Sequence, residues 1–168
     1  MNQPSQQTYQ SGSTSAPYNK PYKVKGATYY PLKTAIGYRE EGIASWYGSE
    51  SGDRTAMGTR FLPQNLTAAH KTLPLPSRVR VTNLSNGRSV EVLVNDRGPF
   101  KGNRLIDLSY AAAWKLGYAA NGSALVEVEA LTPDDIAKLA SRPASVAAAD
   151  VRPVSPTAAP VGTPLGGL

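Results

Sequence analysis

Ser89-Val-Glu-Val-Leu-Val-Asn-Asp-Arg-Gly-Pro99 carries two signals at once. Val90, Val92 and Val94 alternate with Glu91, Leu93 and Asn95, the period of a strand with one buried face. Gly98 and Pro99 then end the strand. An acid, Asp96, therefore stands where a strand breaks into a turn. With an unbroken pleat, parity aims Asp96 to the side of the valines. A carboxyl at an apolar mouth holds its proton more tightly than one in water. A carboxyl protonated near neutral pH is what a general acid requires. The bland reading is an Asx-type turn, in which backbone amides bind the carboxylate and lower its pKa. The residues alone leave both readings open.

Outward from this stretch the strands are short. Ile43–Tyr47, Asn65–His70, Arg78–Thr82, Leu105–Asp107 and Leu125–Leu131 are further strand candidates. Asn86-Gly87 marks a hairpin into the Val90–Val94 strand. Ser109 caps a short helix over Tyr110–Leu116, and Gly117 stops it. Many short strands with one short helix predict an all-β fold, a small closed barrel rather than a sandwich or a βαβ fold.

The flanks differ in composition. Residues 1–20 are rich in Gln, Ser, Thr and Asn and read as a disordered tether. Residues 21–41, with four tyrosines, read as an extended arm lying on the domain. The dense domain is expected over 42–131. Residues 132–168 read as a short helix at Asp134–Leu139, then an Ala/Pro-rich tail. No apolar h-region of a signal peptide and no apolar run long enough to span a membrane is visible. A removed leader, with Met1 added in its place, is compatible with this start.

The 168 residues carry a formal net charge of +6 and a pI near 9.6, which suits an acidic partner. Nucleic acid fits worst, because the basic residues are scattered and no helix-turn-helix or RNP-type motif is present. With no cysteine and a single histidine, disulfides, thiolate chemistry and His-rich or Cys-rich metal sites are excluded. No EF-hand spacing is visible, so neither a metal nor another cofactor is expected.

Five motifs occur in order: Gly42-Ile-Ala-Ser-Trp-Tyr-Gly48, Leu66-Thr-Ala-Ala-His70-Lys-Thr-Leu-Pro74, Val79–Leu84 with Asn86-Gly-Arg-Ser89, Val94-Asn-Asp-Arg-Gly-Pro-Phe100 and Ile106-Asp-Leu-Ser109. Together, and with a lead-in at Tyr22–Pro31, they resemble the rare lipoprotein A family, a branch of the double-psi β-barrels. The resemblance covers roughly Lys20 to Leu131. It implies a six-stranded double-psi β-barrel and a location in the bacterial cell envelope, on the periplasmic side. It also implies lytic cleavage of peptidoglycan glycan strands, or binding to them. Cell-division or envelope proteins are further partners it suggests, and membrane contact would come only through a lipid anchor absent from this chain. Related barrels occur in expansins and one endoglucanase family. Two departures stand out. Lytic members resemble Thr-Ala-Asn-Gly-Glu where this chain reads Thr55-Ala-Met-Gly-Thr59, and Phe-Asp where it reads Phe61-Leu62. Glu50 and Asp53, just upstream, are the nearby acids that could compensate. Without such compensation the alternative is a degenerate barrel that binds glycan and does not cut it.

Ordinary glycoside hydrolysis uses two carboxylates. A lytic transglycosylase can use one, because the sugar's own C6 hydroxyl attacks C1 and closes a 1,6-anhydro ring; this nucleophile is already in place. Asp96 is the first candidate and Asp107 the second. The bland role of Asp107 is to cap the helix that follows. His70 is a groove-side donor or a structural ring bonded to backbone. Trp46 and Tyr47 face opposite sides of one strand, so that one packs the core and the other walls a sugar groove. Arg97 and Arg104 can bind stem-peptide carboxylates, or be solvated surface charges. If Arg97 pairs with Asp96 instead, it opposes the acid role. Thr59 completes the substrate-side set. A third reading makes the barrel a scaffold whose basic arm, Pro21–Glu41, finds partners.

Overall fold

The computed structural model describes residues 14–47 and 52–140, with the side chains of 138–140 excepted. Eight strands form: β1 (Tyr22–Val24), β2 (Ala27–Tyr29), β3 (Arg39–Tyr47), β4 (Thr67–His70), β5 (Ser77–Asn83), β6 (Ser89–Asp96), β7 (Arg104–Ser109) and β8 (Ser123–Ala130). Helix α1 is Tyr110–Leu116 and α2 is Pro133–Ala140. Six strands close a barrel in the order β3-β7-β4-β6-β5-β8. Two pairs in it, β3 with β7 and β4 with β6, are parallel, and the other four are antiparallel. The all-β closed barrel expected from the strand pattern is the fold observed.

Alternation fills the interior. Val79, Val81, Val92, Val94, Ile106, Leu108, Val126 and Val128 are fully buried. Each such side chain contributes about 1.5–3 kcal/mol of transfer free energy. On the outside, Glu91 meets Arg80 of the neighbouring strand at 3.0 Å. Helix α1 starts and stops as its sequence signals require. Ser109 Oγ accepts the Ala112 amide at 3.3 Å, and the Gly117 amide returns to the Trp114 carbonyl at 3.0 Å.

Strand β3 begins at Arg39, earlier than the Ile43 start read from the sequence. Arg39, Glu40 and Glu41 pair with Glu129, Val128 and Glu127 of β8, and Arg39 Nε reaches Glu127 at 2.8 Å. These polar residues lie in an antiparallel ladder whose outer side faces solvent, so no apolar signal announced them. Within the range read as a tether, Pro17–Asn19 form a 3-10 turn and Asn19 is buried. Tyr18 packs against the core, and hydrogen bonds hold Asn19 beside it: Asn19 Nδ2 donates to the Leu75 carbonyl at 2.9 Å and Oδ1 accepts the Leu75 amide at 2.8 Å.

Two bulges position the site. Opposite β3, Ile43 pairs with Arg104 and Ala44 with Ile106, which leaves Leu105 as the extra residue. Opposite β4, Ala68 pairs with Val94 and Ala69 with Asp96, which leaves Asn95 extra. Gly42 makes room for the first bulge, because a Cβ there would lie 2.8 Å from Leu105 Cβ. Gly42→Ala is expected to lower stability by about 1–3 kcal/mol. A urea midpoint that falls with an unchanged slope checks this.

Candidate active site

The second bulge overturns the parity expectation. Asp96 shares the face of Ala69, its register partner, and not that of Val94. An extra residue in one strand shifts every later side chain to the other side of the sheet. The bulge thus ejects Asp96 from the barrel interior onto its outer surface.

That surface collects the acids. Ser45 pairs with Asp107, Asp107 with Ala69, and Ala69 with Asp96, so these four residues form one outward row across β3, β7, β4 and β6. Asp96 and Asp107 flank Ala69. Neighbouring strands lie about 4.8 Å apart, so the two aspartate backbones are separated by about 10 Å. Tyr47 and Phe61 stack at 4.7 Å and bury Ala69 between the acids.

Asp96 Oδ1 accepts the Ala56 amide at 2.7 Å and the Arg97 amide at 2.8 Å. These amides and the Arg97 charge favour the carboxylate, yet burial outweighs them and raises the pKa. The turn-like amide bonds and a raised pKa therefore coexist. Among the described residues, Oδ2 makes no hydrogen bond. The Ala56 amide is delivered by a small hairpin whose ends meet at Phe61 N to Asp53 O, 2.9 Å. Inside it the Thr55 amide binds the Thr59 carbonyl at 2.8 Å, and the two threonine hydroxyls are 2.7 Å apart. Thr59 itself is exposed. The sequence reading missed Ala56; the turn signal of Gly58 was the available clue. Asp53 lends its backbone carbonyl to this hairpin, and Glu50 lies outside the described residues.

Asp107 is held by side chains. Ser45 Oγ donates to its Oδ1, Arg104 Nη1 donates to Ser45 Oγ at 2.8 Å, and Arg104 Nη2 lies 3.9 Å from Asp107 Oδ2. Burial raises the Asp107 pKa, opposed by Ser45 and by the Arg104 and Lys71 charges. Ser45 was not foreseen; only the strand register brings it to Asp107. The helix-capping role considered for Asp107 goes to Ser109.

Two candidates, His70 and Arg97, turn away from the outward row. His70 is 3 % exposed, and its Nδ1 accepts the Thr72 amide at 3.1 Å and the Leu73 amide at 3.0 Å. With Nδ1 so occupied, the proton sits on Nε2, which donates to Tyr38 Oη at 2.8 Å. Burial and the Arg97 and Lys71 charges push its pKa down to about 3. His70 is thus a neutral structural ring with no groove-side nitrogen, and the donor role is corrected. Arg97 spends its guanidinium on the carbonyls of Tyr18, His70 and Leu73 and on Asn19 Oδ1. It is neither a free stem-peptide ligand nor a side-chain partner of Asp96. Tyr47 is buried and stacks on Phe61 instead of presenting its face to solvent. Trp46 packs edge-on to Tyr110 at 4.9 Å and donates Nε1–H to the Ala119 carbonyl at 3.0 Å. Arg104 stays half-buried beside Asp107. Among the described residues no group of three or more His, Cys, Asp or Glu side chains could hold a metal ion, and no helix is long and apolar enough to cross a membrane.

A closed six-stranded barrel with two parallel pairs is the arrangement of a double-psi β-barrel. The family model described as "Lytic transglycolase" matches residues 39–128, and the chain belongs to this family, the rare lipoprotein A branch of those barrels. The chain is 54 % identical over 141 residues to an endolytic peptidoglycan transglycosylase RlpA of Pseudomonas aeruginosa, covering 83 % of this chain and 41 % of that protein. It is 51 % identical over 123 residues to the protein of the same name from Neisseria meningitidis serogroup A, covering 73 % of this chain and 52 % of that one. The chain thus spans about half the length of these curated relatives, or less. Among solved structures, a Streptomyces papain inhibitor is similar at 25 % identity with a TM-score of 0.49, over 59 % of this chain and 99 % of that one.

Proposed function

We propose that this barrel cleaves peptidoglycan glycan strands by lytic transglycosylation, with Asp96 as the acid and then the base. One observation carries the reading: two carboxyls of raised pKa share one outward row, and of the two only Asp96 keeps an oxygen with neither a hydrogen bond nor an ion pair among the described residues. Asp96 Oδ2–H protonates the glycosidic oxygen as the C1–O bond breaks. The C6 hydroxyl of the same sugar attacks C1 and gives its proton to the Asp96 carboxylate, which restores the acid. Oδ1, fixed by two amides, keeps the group in one orientation through both transfers. Asp107 lies beside Arg104, which favours its charged form, and it opposes the positive charge that develops at C1. The names of the curated relatives support this reading. It brings with it the bacterial cell envelope as location, on the periplasmic side, with peptidoglycan as the partner. Incubation of the purified chain with sacculi and with peptide-free glycan strands tests it. The expected products end in 1,6-anhydro sugars; reducing ends alone, or no release from either substrate, defeat it.

One observation favours a second reading, a barrel that holds glycan without cutting it. Thr59 and Leu62 stand where the family resemblance calls for acids, and the Thr59 hydroxyl is tied to Thr55. Thr59→Glu is expected to raise the rate of anhydro-product release about tenfold or more. Equal rates would remove position 59 from the chemistry. Turnover in the variant alone would assign the parent to the binding class.

A further inference from the structure

Arg97 is the largest polar investment near the site that the mechanism above does not use. It follows Asp96 directly, and its backbone amide is one of the two that hold Asp96 Oδ1. Its guanidinium makes five hydrogen bonds, and none goes to a carboxylate. Nε and Nη2 donate to the Tyr18 carbonyl at 3.2 and 2.9 Å, and Nη2 to Asn19 Oδ1 at 3.0 Å. Nη1 donates to the carbonyls of His70 at 3.2 Å and Leu73 at 2.6 Å. The Tyr22 ring lies over the group, 5.7 Å from its carbon. Half of this cage comes from the polypeptide before the barrel, and Asn19 is itself bonded twice to Leu75. The other half comes from the β4–β5 connection, fixed by the His70 ring through the Thr72 and Leu73 amides.

We propose that Arg97 is a positioning residue for Asp96, and that it works through the Tyr18–Asn19 segment, so that residues outside the barrel complete the active site. The assignment of Asp96 as acid rests on the function proposed above; the positioning itself does not. The guanidinium pins the backbone at residue 97 from three sides. The pinned backbone aims its amide at Oδ1, which leaves Oδ2 facing outward. Only a planar fork of donors can engage four acceptor atoms on two separate segments; an ammonium group cannot. A cation caged by neutral oxygens also keeps its charge available to Asp96. The charged and titratable groups that face Asp96 are Arg97, next along the chain after β6, the Tyr47 hydroxyl on β3 and, across Ala69, Asp107 on β7.

Asn19→Ala in the full chain tests this, because it opens the cage without touching a barrel residue. Two readouts are needed: the Asp96 side-chain carboxyl titration by carbon-13 NMR, and the kinetics of anhydro-product release. The Asp96 midpoint is expected to rise by about half a unit as the Arg97 amide bond weakens. Its kcat is expected to fall about tenfold with KM within about twofold, since aim and not binding is lost. Arg97→Lys should reproduce both effects and not rescue them. If Asn19→Ala does not fold, Asn19→Asp replaces it. There the new carboxylate pairs with the guanidinium, cancels its charge at Asp96 and raises the same midpoint. A lowered melting temperature with an unmoved Asp96 midpoint would overturn the proposal and leave Arg97 as a clamp of the fold only. A moved midpoint in a chain without turnover would uphold the positioning and defeat the transglycosylase reading instead.

Discussion

Asp96→Asn is expected to lower anhydro-product release from peptide-free glycan strands by about 10²–10⁴-fold, with the fold intact. Asparagine has the same size, and its Oδ1 can accept the Ala56 and Arg97 amides as the carboxylate does. What it lacks is a proton to give and a site to take one back. Glycan affinity should change little, so the loss belongs in kcat. The pH profile of the parent carries the matching sign. Burial raises the Asp96 pKa, so the acid form persists to higher pH than in an exposed aspartate, and the rate falls as pH rises through that value. Asp107→Asn should fall less, because Asp107 moves no proton in this scheme. An Asp96→Asn protein that retains more than a tenth of the parent rate would remove Asp96 from the chemistry. High-performance separation of the muropeptides with mass detection is sufficient to decide.

The second large effect concerns stability. His70, the one histidine of the chain, is expected to remain neutral down to about pH 4. Its folded pKa of about 3 lies below the ordinary 6.5, so the unfolded chain takes up the proton first. Its contribution is complete above pH 6.5 and is lost as pH falls towards 3. Over that window it amounts to about 5 kcal/mol. Asp96 and Asp107 act in the opposite sense. Their folded pKa values are raised, so their contribution is present at low pH and lost as pH rises through those values. The net acid sensitivity is therefore smaller than that of His70 alone. The imidazole Cε1 resonance isolates the histidine, and a midpoint near 6 would show that its ring is not held by Thr72, Leu73 and Tyr38. His70→Gln should flatten the acid limb of the denaturant midpoint and lower stability at neutral pH, since two turn amides lose their acceptor.

Some of the site was readable one residue at a time. Asp96 is legible from its position at a strand end and the cap of α1 from Ser109 and Gly117, whereas Asp107, read as the end of a strand over Leu105–Asp107, lies inside β7. Local rules suffice there, because capping and alternation involve neighbours in sequence. Other assignments depended on partners far along the chain. Arg97 looks like a surface charge beside an acid until Tyr18 and Asn19 close over it. His70 looks like a groove residue until the β4–β5 connection folds its amides back onto the ring. Asn19 sits in a polar run with no aliphatic residue beside it to suggest burial.

The chain's own order of residues determines a small closed β-barrel, because period-two alternation of valines permits one buried face per strand and the turn residues limit each strand's length. It also determines which acids the strands carry. The side on which those acids emerge was decided only by the folded barrel. A bulge is a mismatch between two strands, so no single strand encodes it, and the extra residue at Asn95 reversed the direction that parity alone assigned to Asp96.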